Sequence, residues 1–283
     1  MIITIASGKG GTGKTTIATN LALSASSAQY LDCDVEEPNG HMFLKPTISE
    51  RREVTIPIPE IDEKLCDRCG QCAKACEFNA LAVIGEKVMF FAELCHGCGT
   101  CTYVCPKKAI HEGGKEIGCL ELGHAGLPGA ESLLFAQGIS QIGNPLSPPV
   151  IKQLKKLIDP ERFAILDAPP GTSCPMVQTM LGSDYCLFVT EPTPFGLNDL
   201  KLAVGVARQL QIPCGIVINR SDSGDDEVVK YCNREKLPIL LEIPFNRDLA
   251  FAYSRGLAAV ISNPDLRKAF VGLYEKIVAE VSK

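Results

Sequence analysis

The amino-acid sequence predicts an α/β fold in which a mostly parallel sheet carries helices on both faces, with a small α+β domain inserted into it. Three observations predict this. A glycine-rich loop stands between a β-branched run and a helical stretch near the start of the chain. The second half alternates apolar runs of strand length with helical stretches, which is typical of parallel sheets. Between these parts, eight of the fourteen cysteines fall within residues 66–105.

Composition excludes several classes of protein. The 283 residues, 46% hydrophobic and 22% charged, suffice for one large globular domain or for two. The net charge of −5 argues against a nucleic-acid-binding surface, because such surfaces are strongly basic. No apolar run approaches the ~20 residues of a membrane span, and a strand pattern directly after Met1 leaves no room for a signal peptide. We therefore expect a cytoplasmic protein with no nucleic-acid partner and no stable membrane insertion.

The glycine-rich loop fits the phosphate-binding pattern GxxxxGK[ST]. Residues 2–5 predict a short buried strand before it, and apolar residues recur at helical spacing from Ile17 onward. In this order the backbone N–H groups of the loop and the helix N-terminus face the same phosphates. The residues predicted to bind the nucleotide are Gly8, Gly10, Gly11, Thr12, Gly13, Lys14, Thr15 and Thr16.

Two further predicted strands end in carboxylates. Asp32 and Asp34 follow the second strand, and Asp167 ends a buried apolar strand downstream. The carboxyl ends of parallel strands form the edge where such sheets bind ligands. An aspartate like Asp167, downstream of a phosphate loop, orients the shell of Mg²⁺, and Gly171 after it lets the backbone approach and release the γ-phosphate. Capping of a turn is the alternative role for Asp32 and Asp34.

The cysteines repeat the ligand run of two-cluster ferredoxins. The spacing Cys-x2-Cys-x2-Cys-x3-Cys occurs from Cys66 to Cys76 and again from Cys95 to Cys105. In such ferredoxins the fourth cysteine of each run ligates the other cluster. Two [4Fe-4S] clusters are therefore predicted, one held by Cys66, Cys69, Cys72 and Cys105 and the other by Cys95, Cys98, Cys101 and Cys76. Zinc is the alternative, but zinc sites use paired CxxC units rather than triplets. His96, inside the second run, is not needed as a ligand.

The alternation of strands and helices stops over the cysteine-rich segment. We therefore predict an inserted ferredoxin domain over residues 57–118 and a P-loop NTPase domain formed by 1–56 and 119–283. One departure from the ferredoxin pattern is Glu77, which takes the place of the proline expected after Cys76. This change predicts a looser turn or an altered potential at the neighbouring cluster.

The remaining elements follow from periodicity. Strands are predicted over 185–190, 215–219 and 239–243, and helices over 197–210, 226–235 and 264–281. The Gly- and Pro-rich residues 118–149 predict an irregular connection, and a helix carrying Val150, Leu154, Leu157 and Ile158 is predicted to begin near Pro148. Asn219, at a strand end, offers an amide to a base edge or caps a turn.

The loop carries a lysine, Lys9, directly after its first glycine, and in this it resembles the deviant phosphate loop of the MinD/ParA ATPases, which include the nitrogenase iron protein. The resemblance extends to residues 32–34, 167–171, 191–194 and 243–245, and covers nearly the whole chain outside the cysteine segment. With that segment included, the sequence resembles MinD-superfamily ATPases that contain an inserted two-cluster ferredoxin domain.

This resemblance implies an ATP-dependent dimer, formed by two copies or with a related ATPase, that hydrolyses ATP slowly without a partner protein. Lys9 would reach the phosphates of the partner's ATP, Lys14 would hold the β- and γ-phosphates, and Thr15 would bind Mg²⁺. Asp34 matches the switch I aspartate that positions the attacking water. Residues 167–171 match switch II.

Two further positions are interpreted through the resemblance. Asn219 would contact adenine. Cys174 resembles in position a cysteine that ligates the shared cluster of the nitrogenase iron protein, but the sequence offers no convincing second ligand, so a packed thiol, or one next to such a site, is favoured. The CxxC pair that scaffold ATPases carry near their C-terminal part is missing, since Cys214 and Cys232 are isolated in the sequence.

The motifs together favour an ATP-hydrolysing dimeric switch that is coupled to two [4Fe-4S] clusters and gates electron transfer to a partner protein. Clusters fully ligated by cysteine suit electron storage. One alternative is an ATPase that assembles or carries iron-sulfur or other metal cofactors, with an apo-protein as partner. Another is a MinD-like positioning ATPase in which the ferredoxin domain is a sensor.

Overall fold

A computed structural model describes residues 1–130, 132–144 and 146–282. Its strands are β1 (Ile2–Ala6), β2 (Ala28–Asp32), β3 (Thr47–Ile61), β4 (Leu81–Ile84), β5 (Lys87–Phe90), β6 (Ile110–His124), β7 (Leu134–Ser140), β8 (Phe163–Asp167), β9 (Tyr185–Thr190), β10 (Cys214–Asn219) and β11 (Ile239–Ile243). Its helices are α1 (Lys14–Ser24), α2 (Gly40–Leu44), α3 (Gln71–Lys74), α4 (Thr100–Val104), α5 (Ser147–Lys155), α6 (Cys174–Met180), α7 (Pro194–Gln209), α8 (Glu227–Glu235), α9 (Arg247–Ser254), α10 (Ala259–Ser262) and α11 (Pro264–Val281).

Within the described residues, nine strands form one sheet in the order β11-β10-β9-β1-β8-β2-β7-β6-β3. The seven strands from β11 to β7 run parallel, and only β6 and β3 are antiparallel to their neighbours. The prediction of a mostly parallel α/β sheet is therefore confirmed. Strand β1 lies at the centre of the seven parallel strands. The loop that follows it opens at the carboxyl edge of the sheet, where ligands bind in such folds.

Helices cover both faces of the sheet because the central strands are apolar on both sides. On one face, Ile3 and Ile5 of β1 pack with Leu21 of α1 and with Phe270 and Leu273 of α11. On the other face, one core lies beneath α7 and α8 and another beneath α5. Strands buried on both faces hold the loops at their ends in fixed positions.

Two paired strands interrupt the connection predicted over residues 118–149. Its first part belongs to β6, and β7 follows over Leu134–Ser140, so the prediction of an irregular connection missed both strands. Helix α5 begins with prolines in its first turn, as predicted, but ends at Lys155, before Leu157 and Ile158.

Strands β3 and β6 are 15 residues each and pair along their whole length from Thr47 opposite His124 to Ile61 opposite Ile110. We call this pair the ribbon. One end of it completes the large sheet, and the segment between Ile61 and Ile110 contains α3, α4, and β4 paired with β5. The predicted insertion bounds fall inside the ribbon, since Pro57 pairs with Gly114 in the middle of both strands.

Candidate nucleotide site and cysteine tetrads

The predicted phosphate loop joins β1 to α1, with the amide of Ile17 donating to Gly13 O at 2.9 Å in the first turn of the helix. Gly13 has φ of +89°, which L side chains rarely adopt, and a Cβ there would lie 2.5 Å from Asn219 Nδ2. A Cβ on Gly8 would lie 2.5 Å from the Asp199 backbone at α7. Glycine at these two positions therefore allows the loop to pack against two other elements.

Lys14 and Asp167 meet at the base of this loop. Lys14 is only 8% exposed, and its Nζ lies 3.4 Å from Oδ1 of the fully buried Asp167. The other carboxylate oxygen of Asp167 accepts a hydrogen bond of 2.9 Å from Tyr30 Oη. The sequence motifs at the ends of β1 and β8 are thus joined by a buried ion pair, which is fixed by a tyrosine of β2.

Asp32 has the structural role of capping a turn. Its buried carboxylate accepts hydrogen bonds from the backbone amides of Gly40, Asn39 and Asp34 at 2.8, 3.1 and 3.2 Å. Burial, reinforced by the charge of Asp167, raises the pKa of Asp32 to about 8. These bonds fix the loop that carries Asp34 toward α2.

Asp34 and the phosphate loop line the same cavity. Burial raises the pKa of Asp34 to about 6, although the Lys14 ammonium opposes this shift. Gly171, in the predicted switch II segment, has φ of +93°, and its amide donates to Ser7 O at 3.1 Å. The two predicted switch segments therefore both border the loop.

The cavity itself has a volume of about 490 Å³. Its lining includes Lys9, Lys14 and Thr15 of the phosphate loop and the aromatic side chains of Phe245 and Tyr253. Lys9 is half-buried at the wall of the cavity. The cavity can hold a polyphosphate and a flat apolar ring.

Asn219 also lines the cavity, but both ends of its amide are bonded within the protein. Its Nδ2 donates to Thr12 O at 2.9 Å and its Oδ1 accepts from the Arg220 amide at 3.1 Å. In this structure Asn219 braces the phosphate loop. Its contact with adenine stays a prediction.

The eight clustered cysteines divide between two separate cavities. One is lined by Cys66, Cys69, Cys72 and Cys105, with Ile61, Val88 and Ile110 among the apolar walls. The other is lined by Cys76, Cys95, Cys98 and Cys101, with Pro57, Pro59 and Phe78. We call these the outer and inner tetrads, because the inner tetrad is the one that meets the ribbon closer to the large sheet. This grouping is the one that the ferredoxin ligand rule predicts.

The eight cysteines and the backbone amides around them have the chemistry needed to hold iron-sulfur clusters. None of the eight is in a disulfide, and backbone amides point at three of the sulfurs: Ala80 N to Cys76 Sγ at 3.3 Å, Ala109 N to Cys105 Sγ at 3.3 Å, and Gly97 N to Cys95 Sγ at 3.5 Å. Thiolates and N–H···S bonds are the groups that hold iron-sulfur clusters. Among the described residues, no three His, Cys, Asp or Glu side chains converge on a point suited to a single metal ion.

The two halves of the cysteine segment repeat each other in backbone conformation at a spacing of 29 residues. Residues with positive φ recur in pairs at that spacing, namely Arg68 and Gly97, Gly70 and Gly99, and Asn79 and Lys108. Side chains differ at the matching positions. Beside the outer tetrad, Lys107 Nζ lies 3.8 Å from Asp67 Oδ2. Beside the inner tetrad, Phe78 stacks on His96 with ring centroids 3.7 Å apart.

Residues 3–260 of the chain match the family model described as the CobQ/CobB/MinD/ParA nucleotide binding domain. The chain belongs to this family. The match spans both the phosphate loop and the ribbon, and together with the loop geometry it makes the chain a P-loop ATPase.

Individual relatives agree with this family. The protein MJ0579 of Methanocaldococcus jannaschii, described as uncharacterized, is 30% identical over 280 residues, 94% of each chain. An iron-sulfur cluster carrier protein of Aquifex aeolicus is 25% identical over 308 residues, 99% of this chain and 67% of the carrier. The structure of MinD from Pyrococcus horikoshii with Mg-ADP superposes with a TM-score of 0.60 at 18% identity, covering 98% of this chain and 95% of MinD, and shows the shared fold.

Sequence reasoning on this CobQ/CobB/MinD/ParA family member missed several residues of the site. Tyr30 is one, although its position two residues before Asp32 on a strand places both side chains on one face. Another is Ser147, whose Oγ donates to Glu36 Oε1 in the loop after Asp34. Cys174 is exposed at the start of α6, whereas Cys232 is buried. None of the helices within the described residues is long and apolar enough to cross a membrane.

Proposed function

We propose that this ATPase is a cytoplasmic, ATP-dependent dimeric switch that holds two [4Fe-4S] clusters and gates one-electron transfer to a partner protein. The observation that carries the proposal is the segregation of the eight cysteines into two cavities of four, at the end of a ribbon that is continuous with the ATPase sheet. A redox module attached in this way is positioned by the sheet that also holds the nucleotide site.

The outer tetrad and the inner tetrad are the proposed ligand sets. When bound there, [4Fe-4S] clusters take up and release single electrons. The chain's own contribution is eight thiolates, the N–H donors of Ala80, Gly97 and Ala109, and walls that limit water. The electron comes from a one-electron donor protein and leaves to a one-electron acceptor protein.

In the nucleotide site, Lys14 would exchange its ion pair with Asp167 for one with the β- and γ-phosphates. Thr15 would hold Mg²⁺. Ionised Asp34 accepts a hydrogen bond from the attacking water. The water oxygen bonds to the γ-phosphorus, the bond to the bridging oxygen of ADP breaks, and the proton leaves on the released phosphate. Lys9 would complete the site of the second subunit, since dimerisation brings it to the partner's phosphates.

The test compares the protein with both clusters loaded in the presence of ADP and of a non-hydrolysable ATP analogue, without oxygen. The expected result is a shift in the midpoint potential of at least one cluster, followed by its EPR signal, or a changed rate of electron transfer to a soluble one-electron acceptor. If the two nucleotide states give the same potential and the same rate, electron gating is wrong.

The second candidate function is iron-sulfur cluster assembly or delivery. The similarity to the iron-sulfur cluster carrier protein favours it, whereas the full set of four cysteines in each cavity favours retained clusters. Isotope-labelled iron distinguishes the two functions. A carrier transfers label to an apo-protein in an ATP-dependent manner, and a redox switch keeps it through many rounds of reduction.

A further inference from the structure

Helix α5 is bonded at its first residue to the loop that carries Asp34. Ser147 Oγ donates a hydrogen bond to Glu36 Oε1, two residues after the aspartate predicted to position water. A cavity of about 190 Å³ separates this loop from the switch II segment, and Ser147, Pro170 and Ser173 line it. The two switch segments therefore have room to move relative to each other beside the start of α5.

The last residue of α5 is bonded to the helix that follows switch II. The carbonyls at the end of a helix lack intrahelical partners and carry partial negative charge. Lys155 Nζ donates to carbonyls at the end of α6, namely those of Gln178 at 3.1 Å, Thr179 at 2.6 Å, and Leu181. Burial lowers the pKa of Lys155, so these bonds are made in a poorly hydrated environment. A shift of α6 therefore displaces the end of α5 or breaks this set of bonds.

The apolar side of α5 packs on the ribbon. One buried cluster contains Val150, Ile151 and Leu154 of α5, together with Val54, Ile56 and Ile117 of β3 and β6. Close packing of this kind transmits small displacements, because protein interiors have low compressibility. Helix α5 thus contacts the loop that carries Asp34 at one end, the helix that follows switch II at the other end, and the ribbon along its length.

The ribbon in turn contacts the inner tetrad. A Cβ on Gly97, in the loop between Cys95 and Cys98, would lie 3.0 Å from Ile56 Cβ and 3.0 Å from Pro57 O. The cavity of the inner tetrad is itself lined by two prolines of β3. Ile56 therefore belongs to the same buried cluster as the apolar residues of α5 and also lies against an inner-tetrad loop.

We propose that Ser147 and Lys155 are positioning residues, and that through them helix α5 transmits the nucleotide state to the inner tetrad. The outer tetrad has no direct part in this coupling. The inference rests on the proposed function for its purpose, but the mechanical link from switch segments to the Cys95–Cys98 loop can be tested without electron transfer.

The experiment is hydrogen–deuterium exchange on the cluster-loaded protein with and without a non-hydrolysable ATP analogue. In the wild type we expect the analogue to change deuterium uptake at least twofold over residues 54–58 and 95–101. In Lys155→Met this change should fall to less than half its wild-type size while the change over residues 8–16 persists. The matched control is Lys152→Met, an exposed lysine on the same helix, which should behave as wild type.

Ser147→Ala provides a second variant, since it removes one hydroxyl from the opposite end of α5 and keeps the proposal testable if Lys155→Met does not fold. An unchanged response over residues 95–101 in both variants, or no response there in the wild type, overturns the link. If the analogue changes deuterium uptake over residues 95–101 as expected but does not change the cluster potential, only electron gating is overturned. Failure of the proposed link and failure of the proposed function are therefore distinguishable.

Discussion

The nucleotide site and the cysteine tetrads differ in how the protein holds their functional side chains. At the nucleotide site the charged groups are bonded to one another inside the protein: Lys14 to Asp167, Asp167 to Tyr30, and Asp32 to three backbone amides. These residues come from the ends of adjacent buried strands, so the sheet itself fixes their spacing.

In the tetrads, by contrast, the bonds of the sulfurs within the protein are weak N–H···S and S–H···O contacts of 3.3–3.5 Å. Cys69 and Cys98 are exposed, and the surrounding helices α3 and α4 have only four and five residues. Ligands of a metal cofactor commonly gain their order from the cofactor, because binding free energy is then folding free energy. The comparison teaches that the nucleotide site is assembled by the fold, whereas the proposed cluster sites would gain part of their order from the clusters. The predictions below test that difference, from the largest effect to the smallest.

The largest effect is expected for Cys69→Ala. Removing one ligand of the outer tetrad should eliminate its cluster and destabilise the cysteine segment, because a cluster needs all four thiolates. ATP affinity should stay within about threefold of wild type, since the nucleotide cavity and the outer tetrad share no lining residue. Iron content and visible absorbance report the first effect, and calorimetry with an ATP analogue the second. Cys232→Ala, at a buried cysteine outside both tetrads, is the control.

Lys14→Ala is the reciprocal variant. It removes the cation that faces the phosphates and leaves buried Asp167 without its ion pair, so ATP affinity should fall by at least a factor of ~100, about 3 kcal/mol. Iron content and the visible spectrum should be unchanged. Bleaching of the chromophore in this variant would contradict the separation of the two sites.

The phosphate loop and both cysteine runs could be predicted from sequence because each is contiguous, and its spacing carries the geometry. The ribbon could not be predicted from the sequence. Strand β3 contains charged residues and the prolines Pro57 and Pro59, which argue against a strand, yet it is the edge strand of the large sheet, where proline is tolerated. Contacts such as Tyr30 to Asp167 join residues 137 apart and depend on which strands become neighbours.

Asp34 gives the nucleotide site a pH dependence that the tetrads should not share. Its pKa is raised to about 6, and the ionised form is the one that accepts a hydrogen bond from water. ATP turnover should therefore be constant above about pH 7 and fall about tenfold per unit well below pH 6. Asp34→Asn should be slow at every pH, so a preserved pH profile in that variant would exclude Asp34 as its source.

Asp34 also makes the free energy of unfolding depend on pH, but this contribution falls as the pH rises, whereas ATP turnover rises. Because the folded protein binds the Asp34 proton more tightly than the unfolded chain, its contribution to folding is present at low pH and is lost as pH rises through about 6. Urea denaturation from pH 4 to pH 7 should show a smaller decline in the free energy of unfolding for Asp34→Asn than for the wild type.

Tyr30→Phe tests whether the fold holds the site together by itself. The substitution leaves a buried oxygen of Asp167 without its donor, at a cost of about 1–3 kcal/mol in the free energy of unfolding. Urea denaturation of the wild type and the variant measures this cost. Tyr274→Phe is the control, since that hydroxyl lies at 3.5 Å from Ser26 Oγ near the surface. Equal losses in the two variants would argue against a special role for Tyr30.

The smallest effect is expected beside the outer tetrad. The Lys107–Asp67 pair is about half-exposed on both sides, so Lys107→Ala should change the free energy of unfolding by less than about 0.5 kcal/mol and leave the lifetime of the chromophore in air unchanged. Phe78→Ala, at the matching position 29 residues earlier, opens a wall of the inner cavity and should shorten that lifetime. If both variants lose the chromophore at the same rate, the stacked pair does not shield the inner tetrad, and the two halves of the segment are equivalent in function as well as in backbone.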